Sequence, residues 1–307
     1  MGKKVLIVYY SQTGQTKQIL DQFTKKMIED GHDLEFLNFN PCQQYAFPWT
    51  IRTFFNVMPE CVNVVSEPLQ PWKTESDHYD LVVLGWQPWF LSPSRPFNSL
   101  LQDEKFKTII KNTPVVTIAG CRNMWINAQE KNKALLKEAG AQLVGNIALV
   151  DRNQNHISFI TIFYWMGTGK KDRMWGIFPK PGVSEADINR CELYGQTVAR
   201  HLSSGNWQHL QENLLKQHAT EVKYSLMFIE RTAGKIFKRW ADLISKHPNK
   251  RKHLLVVYKY YLGIALLVAA PIILFVDFIF FKPFLQKRIN SQLEYYSGVD
   301  YDSSYSK

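Results

Sequence analysis

Four short apolar runs recur along the first half of the chain: Lys4–Tyr9 (KVLIVY), Asp80–Gly85 (DLVVLG), Pro114–Gly120 (PVVTIAG) and Gln142–Val150 (QLVGNIALV). The first three are continuously apolar, the pattern of parallel strands covered on both faces. Asp33–Phe39 (DLEFLNF) alternates instead and reads as an edge strand. Between these runs, Thr16–Glu29, Phe97–Lys111 and Ile126–Ala139 carry helical spacing. Strand and helix in this rhythm predict an α/β fold, a doubly wound parallel sheet of about five strands. A last sheet-packing helix is expected over Ser184–Leu202, with Ser184 as N-cap and Glu185 and Asp187 in its first turn.

Two segments exceed plain connections. Residues 40–76 hold Phe47-Pro48-Trp49, Phe54-Phe55 and Met58-Pro59-Glu60, and residues 151–183 hold Tyr164-Trp165-Met166-Gly167 and Phe178-Pro179-Lys180-Pro181-Gly182. Beyond Gly205, Leu226, Ile229, Ala233, Ile236, Phe237, Trp240 and Ile244 form an apolar stripe at helical spacing. Tyr258–Phe281 (YKYYLGIALLVAAPIILFVDFIFF) is the most apolar stretch. As a helix it would reach about 36 Å, enough to cross a hydrocarbon core of about 30 Å. Lys259 can snorkel at one end, Asp277 lies near the other, and Pro271 predicts a kink that leaves both spanning and re-entrant insertion open. The expected organisation is an α/β domain over 1–204, a basic helical connector over 205–253, a membrane helix over 254–281 and a polar tail over 282–307. Within the tail, Tyr295–Lys307 reads as disordered.

Charge sharpens this reading. The net charge of +10 calls for an anionic partner. Lys235, Lys238, Arg239, Lys246, Lys250, Arg251 and Lys252 crowd just before the apolar stretch, with Asp242 the one acid among them. That placement points to phospholipid, and no nucleic-acid motif accompanies it. The cluster outweighs Lys282, Lys287 and Arg288 after the helix, which predicts that the large domain stays on the cytoplasmic side. Cys42, Cys61, Cys121 and Cys191 are far apart, with neither a zinc spacing nor a disulfide framework, so no metal is expected. Met-Gly-Lys-Lys runs straight into a strand-like Val-Leu-Ile-Val, unlike a signal peptide, and a reducing compartment is the expectation.

The most informative stretch follows the first strand: Ser11, Gln12, Thr13, Gly14, Gln15 and Thr16, then a helix. Small hydroxyl residues and a glycine let the backbone curl around a phosphate, and the free N–H groups of the next helix attract an anion. The loop is neither GxxxxGK[ST] nor GxGxxG, which argues against a nucleoside triphosphate and against a dinucleotide. S-x-T-G-x-T after the first strand resembles the FMN phosphate loop of flavodoxins and related quinone reductases. In that family an aromatic loop follows the third strand; Pro88, Trp89, Phe90 and Leu91 stand there, with Trp89 or Phe90 placed to stack on the isoalloxazine ring. The family's third flavin loop corresponds to Gly120, Cys121, Arg122, Asn123 and Trp125, where Arg122 would face negative charge on reduced flavin.

Further motifs narrow the resemblance: the two aromatic insertions, Gly120-Cys121-Arg122-Asn123-Met124-Trp125, Gly169-Lys170-Lys171-Asp172-Arg173 and the C-terminal apolar helix. Over residues 1–281 the chain is similar to the flavodoxin-fold enzymes encoded with a ketosynthase in bacterial dialkylresorcinol and flexirubin-type pigment pathways, often called dialkylresorcinol condensing enzymes. The resemblance implies an FMN-dependent aromatase that oxidises a 2,5-dialkylcyclohexane-1,3-dione to a resorcinol, held at a bacterial inner membrane, with a ketosynthase or a second copy as partner. A hydrophobic substrate would sit among the aromatic insertions, with His156, Tyr164 or Arg122 as catalytic candidates. The rival readings are a membrane NAD(P)H quinone reductase, an electron carrier and a flavin-free scaffold.

Overall fold

A computed structural model describes residues 2–302, with Phe281 described by its backbone alone. The apolar runs become β1 (Lys4–Tyr9), β2 (Asp33–Asn38), β3 (Leu81–Trp86), β4 (Pro114–Cys121) and β5 (Gln142–Val150). All pair in parallel, in the order β2-β1-β3-β4-β5. Side chains alternate across a strand, so each buried run feeds two cores. Leu6, Val8, Leu84 and Trp86 pack on one face, while Val5, Ile7, Val83, Val116 and Ile118 pack on the other. This is the flavodoxin-like doubly wound sheet, whose ligands bind beyond the carboxyl strand ends where the order reverses, at β1 and β3.

Helices α1 (Gln15–Glu29) and α8 (Glu185–Ser204) cover the second face. They approach so closely that a Cβ at Gly195 would lie 1.8 Å from the Phe23 carbonyl oxygen. Alanine normally favours a helix over glycine by about 1 kcal/mol. Here Gly195→Ala is expected to force α1 and α8 apart and cost about 1–3 kcal/mol, read as a lowered melting temperature. An unchanged melt would refute the close packing.

The helix expected over Phe97–Lys111 is instead two, α4 (Arg95–Leu101) and α5 (Glu104–Ile110). Asp103 breaks it, because its carboxylate accepts the Phe106 N–H at 3.0 Å and caps α5. Residues 40–76 fold as α2 (Ile51–Asn56) and α3 (Met58–Val62), and α2 is started by a reciprocal Thr50–Thr53 capping box. Helix α6 (Ile126–Glu138) follows β4, and the second insertion forms α7 (Asn155–Thr168).

Beyond α9 (Leu210–Lys216), the apolar stripe lies on α10 (Tyr224–Lys246). Phe237, Ala241 and Ile244 pack against Met58 and Val62 of α3 and against Leu255 and Tyr258 of α11 (Pro248–Phe280). The backbone of α11 widens to π geometry over Ala265–Ala269. Pro271 has no N–H to give to the preceding turn, so the ladder shifts register there.

Both ends of α11 are fastened to the rest of the fold, one to α3 and the other to α10. Arg251 forks onto Glu60 of α3 at 2.7 and 2.8 Å and also bonds Asn56, so this member of the basic cluster is a strut and not a free lipid ligand. Near the far end, buried Asp277 accepts the Tyr224 hydroxyl at 3.0 Å.

The tail is ordered as far as it is described, contrary to the expectation of disorder, and α12 (Gln286–Ser297) docks on the sheet domain. Its tyrosines carry both apolar area and a hydroxyl that needs a partner. Tyr295 donates to Glu130 at 2.7 Å, while Tyr301 donates to the Ala141 carbonyl at 2.6 Å and accepts the Leu143 N–H at 2.9 Å. The remainder of that expectation, residues 303–307, lies outside the described residues. On the outer side of β5, Asn146 is bonded by Gln211 and Thr220, and the Ala148 N–H by the Ala219 carbonyl.

Candidate functional site

At the tip of β1, Gly14 adopts φ 80°, a left-handed turn that glycine takes without strain. Helix α1 starts at the next residue with no side-chain cap. Its first N–H groups therefore have no partner within the helix and point into the turn. Ser11 Oγ and Gln12 Nε2 are buried there without a hydrogen-bond partner. Buried polar atoms are rarely left unpaired. A hydroxyl, an amide and a fan of backbone N–H groups fit a monoester phosphate. Gln15 instead braces the loop. Its side chain bonds the Val183 backbone at both ends, at 3.2 and 3.3 Å, and ties the Ser11–Thr16 turn to the close of the second insertion. Thr16 is buried and bonds Gln87 at 3.4 Å.

After β3, Pro88–Trp89 pairs antiparallel with Ser92–Pro93. The turn between them places Phe90 and Leu91 at φ 51° and 58°. Such turns favour Asn and Gly, and each left-handed non-glycine residue costs about 1–2 kcal/mol. The hairpin is held regardless, because Lys131 of α6 bonds Ser92 Oγ at 2.6 Å and the Val62 carbonyl at 2.8 Å. Burial pushes the Lys131 ammonium down to about 8. Trp89 stands edge-on to Tyr10, Tyr45 and Trp49, with ring centres 5.1–6.1 Å away.

The loop after β4 divides in two. Gly120, Cys121, Arg122 and Met124 line the same cavity as Trp89, whereas Trp125 is buried in the core beside the sheet. Trp125 therefore supports the loop from behind and does not meet a ligand with its ring. The Arg122 guanidinium bonds Asn155 at 2.9 and 3.1 Å and lies over the Phe159 ring at 5.8 Å. Burial lowers its pKa to about 10, which leaves it cationic at neutral pH. Asn123 donates to Asn155 at 2.8 Å, and its own carbonyl oxygen is buried and unpartnered.

These three loops open on one cavity of about 410 Å³. Its walls are mostly aromatic and aliphatic: Trp49 and Phe54 from the first insertion, Phe163 and Trp165 from α7, Ala233 and Ile236 from α10, and Ala265, Ala269 and Ile273 from α11. A polar end at Gln12, Thr13, Gln15 and Thr16 thus passes without interruption into an apolar end beside the longest helix. Two of the three catalytic candidates lie off this cavity. His156 is exposed on the first turn of α7, and the Tyr164 hydroxyl is held by Asp172 at 2.8 Å on the outer side. That bond raises the Tyr164 pKa. Of the three, Arg122 alone lines the cavity.

Sequence reasoning missed Glu230. It lies inside the apolar stripe of α10, is fully buried, and accepts the Asn127 N–H at the start of α6 at 2.7 Å, directly behind the Gly120–Trp125 loop. Its other carboxyl oxygen has no partner. Desolvation pushes its pKa up to about 8, against the lowering pull of the amides at the helix start. An acid at a buried position of an amphipathic stripe was the available signal.

No family model matches the chain. No curated protein matches it either. Among solved structures, a flavoprotein in complex with FMN from Lactobacillus acidophilus NCFM is similar at 18% identity and TM-score 0.37, over 48% of this chain and 93% of that one. A flavodoxin from the domain Archaea is similar at 11% identity and TM-score 0.37, over 65% and 99%. RosB with a bound 8-demethyl-8-formylriboflavin 5'-phosphate is similar at 11% identity and TM-score 0.37, over 70% and 81%. The strand order itself carries the assignment: the chain has the flavodoxin-like fold.

Proposed function

We propose that the chain is an FMN-dependent oxidoreductase that works at a membrane surface on an apolar ring compound, and that it aromatises a 2,5-dialkylcyclohexane-1,3-dione to a dialkylresorcinol. The observation that supports this most is the single cavity joining the phosphate loop to α11. A phosphate-bearing flavin suits one end and greasy alkyl substituents suit the other. FMN bound there would supply a hydride acceptor.

The protein's own groups do the rest. The Ser11–Thr16 turn binds the phosphate, and the caged Trp89 edge and the aromatic walls exclude water and orient the ring. A 1,3-dione is readily enolised, and Arg122 offers its anion a fixed positive charge held by Asn155. The hydrocarbon walls strengthen that attraction by lowering the local dielectric.

The purified protein is expected to be yellow. Anaerobic addition of a 2,5-dialkylcyclohexane-1,3-dione should bleach it as the resorcinol appears in the absorption spectrum. Rapid bleaching by NAD(P)H with the dione inert would instead support the quinone reductase. Protein that stays colourless after FMN is added would favour the scaffold.

A further inference from the structure

The flavin cavity has a wall that no soluble enzyme needs. Over most of its length α11 is bare: only 6% of its most apolar window is buried, and Ile264, Leu267, Phe275 and Phe278 are each 63–65% exposed. Ala265, Ala269 and Ile273 lie on its other face and line the cavity. One helix therefore carries an open hydrocarbon face and a cavity wall back to back.

A spanning helix delivers its two ends to opposite aqueous sides, separated by about 30 Å of hydrocarbon. Here both ends of α11, and the chain after it, are bonded to the rest of one fold. Arg251 is on Glu60 at the start. Asp277 is on Tyr224 near the end, and Tyr295 then reaches Glu130 and Tyr301 reaches the start of β5. Crossing a bilayer would strip every one of the later contacts.

A second patch leaves the cavity's opposite wall. Helix α7 lines the cavity through Phe163 and Trp165 and runs into Gly169-Lys170-Lys171-Asp172-Arg173-Met174-Trp175-Gly176-Ile177. Trp175 is 76% exposed and Ile177 80% exposed. Lys170, Lys171 and Arg173 surround one acid, Asp172, and Lys180 follows. Exposed tryptophan between cations is the composition of a headgroup boundary.

We propose that α11 does not cross the bilayer but lies flat in one leaflet of anionic phospholipid, with the Trp175–Ile177 tip as a second immersed contact. The cavity then opens between them into the hydrocarbon, and an alkyl chain slides from the leaflet to the flavin without passing through water. This rests on the reading of the cavity as a flavin site for an apolar substrate. Small side chains at Ala265 and Ala269 leave the passage free.

The first test is topology. Full-length protein carrying Glu294→Cys, an exposed position after α11, is reconstituted into sealed phosphatidylcholine–phosphatidylglycerol vesicles. It is treated with a membrane-impermeant maleimide and weighed intact. Cys42 is exposed on the main domain, while Cys61, Cys121 and Cys191 are buried. A flat helix gives molecules labelled at both positions or at neither. Molecules labelled at only one would mean a spanning helix and overturn the proposal.

The second test is co-sedimentation with the same vesicles. Trp175→Ala combined with Ile177→Ala should weaken binding at least tenfold with flavin content unchanged, and vesicles of phosphatidylcholine alone should bind less tightly. Undiminished binding by the double variant would remove the second contact. A dimer in detergent-free solution that ignores vesicles would assign the bare face to a second copy and overturn the proposal. Bleaching of the flavin by a short-chain dione in detergent is independent of all these outcomes, so the cofactor reading and the leaflet reading fail separately.

Discussion

Gly14→Val is expected to weaken FMN binding by at least 100-fold while leaving the fold intact. The cause is conformational and not a clash, since a Cβ at Gly14 meets nothing within 4 Å. The left-handed φ of 80° costs an ordinary residue about 1–2 kcal/mol, and a β-branched one more. The variant escapes that strain by swinging the turn outward, which redirects the N–H groups of Gln15 and Thr16 from the phosphate. Several hydrogen bonds to a charged group, each worth about 1.5–3 kcal/mol, are lost together. Gly14→Asn is the companion variant, because asparagine tolerates the left-handed region and should keep most of the affinity. Titration of apoprotein with FMN, followed by flavin fluorescence, gives both constants, and a melt checks the fold. Equal affinity for Val and Gly would take the phosphate away from this loop.

The second large effect is a pH dependence of stability set by Glu230. Its carboxyl titrates near 4.5 when exposed and about 8 when folded. The folded chain holds this proton more tightly than the unfolded one. The stabilising contribution is therefore complete below about pH 4.5 and lost as pH rises through about 8. Between pH 6 and pH 9 the wild type should lose on the order of 3 kcal/mol more stability than Glu230→Gln, which keeps the shape and cannot ionise. Denaturant unfolding of both proteins across that range measures the difference. Parallel curves would show that Glu230 does not carry the titration. Because Glu230 holds the start of α6 behind the Gly120–Trp125 loop, FMN affinity should weaken along the same pH profile in the wild type only.

The parts of the fold that the sequence foretold are those governed by local chemistry. Short unbroken apolar runs such as Val5–Val8 suit strands covered on both faces, and they are. The turn at the tip of β1 was legible because a glycine among hydroxyl residues between a strand and a helix announces a tight, left-handed turn, which Gly14 makes. The cavity was less so: the insertions were plainly aromatic, but which ring faces which loop depends on packing between segments more than a hundred residues apart. Phe54 meeting Phe163 at 5.5 Å is such a contact. Trp125 and Trp89 sit in similar loops, and only the folded chain sends one to the core and the other to the cavity. The tail misled for a related reason. Its Tyr and Ser composition resembles disorder, yet Tyr295 and Tyr301 are ordered by partners at Glu130, Ala141 and Leu143, which no local pattern reveals.

The covering of β5 limits how copies of this chain can assemble. An outermost strand usually offers a row of bare amides and carbonyls to any neighbour in search of a partner strand. On β5, Leu143, Asn146 and Ala148 have already given those groups to Tyr301, Gln211, Thr220 and Ala219. Extension of the sheet from one molecule to the next is closed on that side, so the α9 segment from Gln211 to Thr220, with Tyr301 of the tail at one end, acts as a guard against fibrous growth.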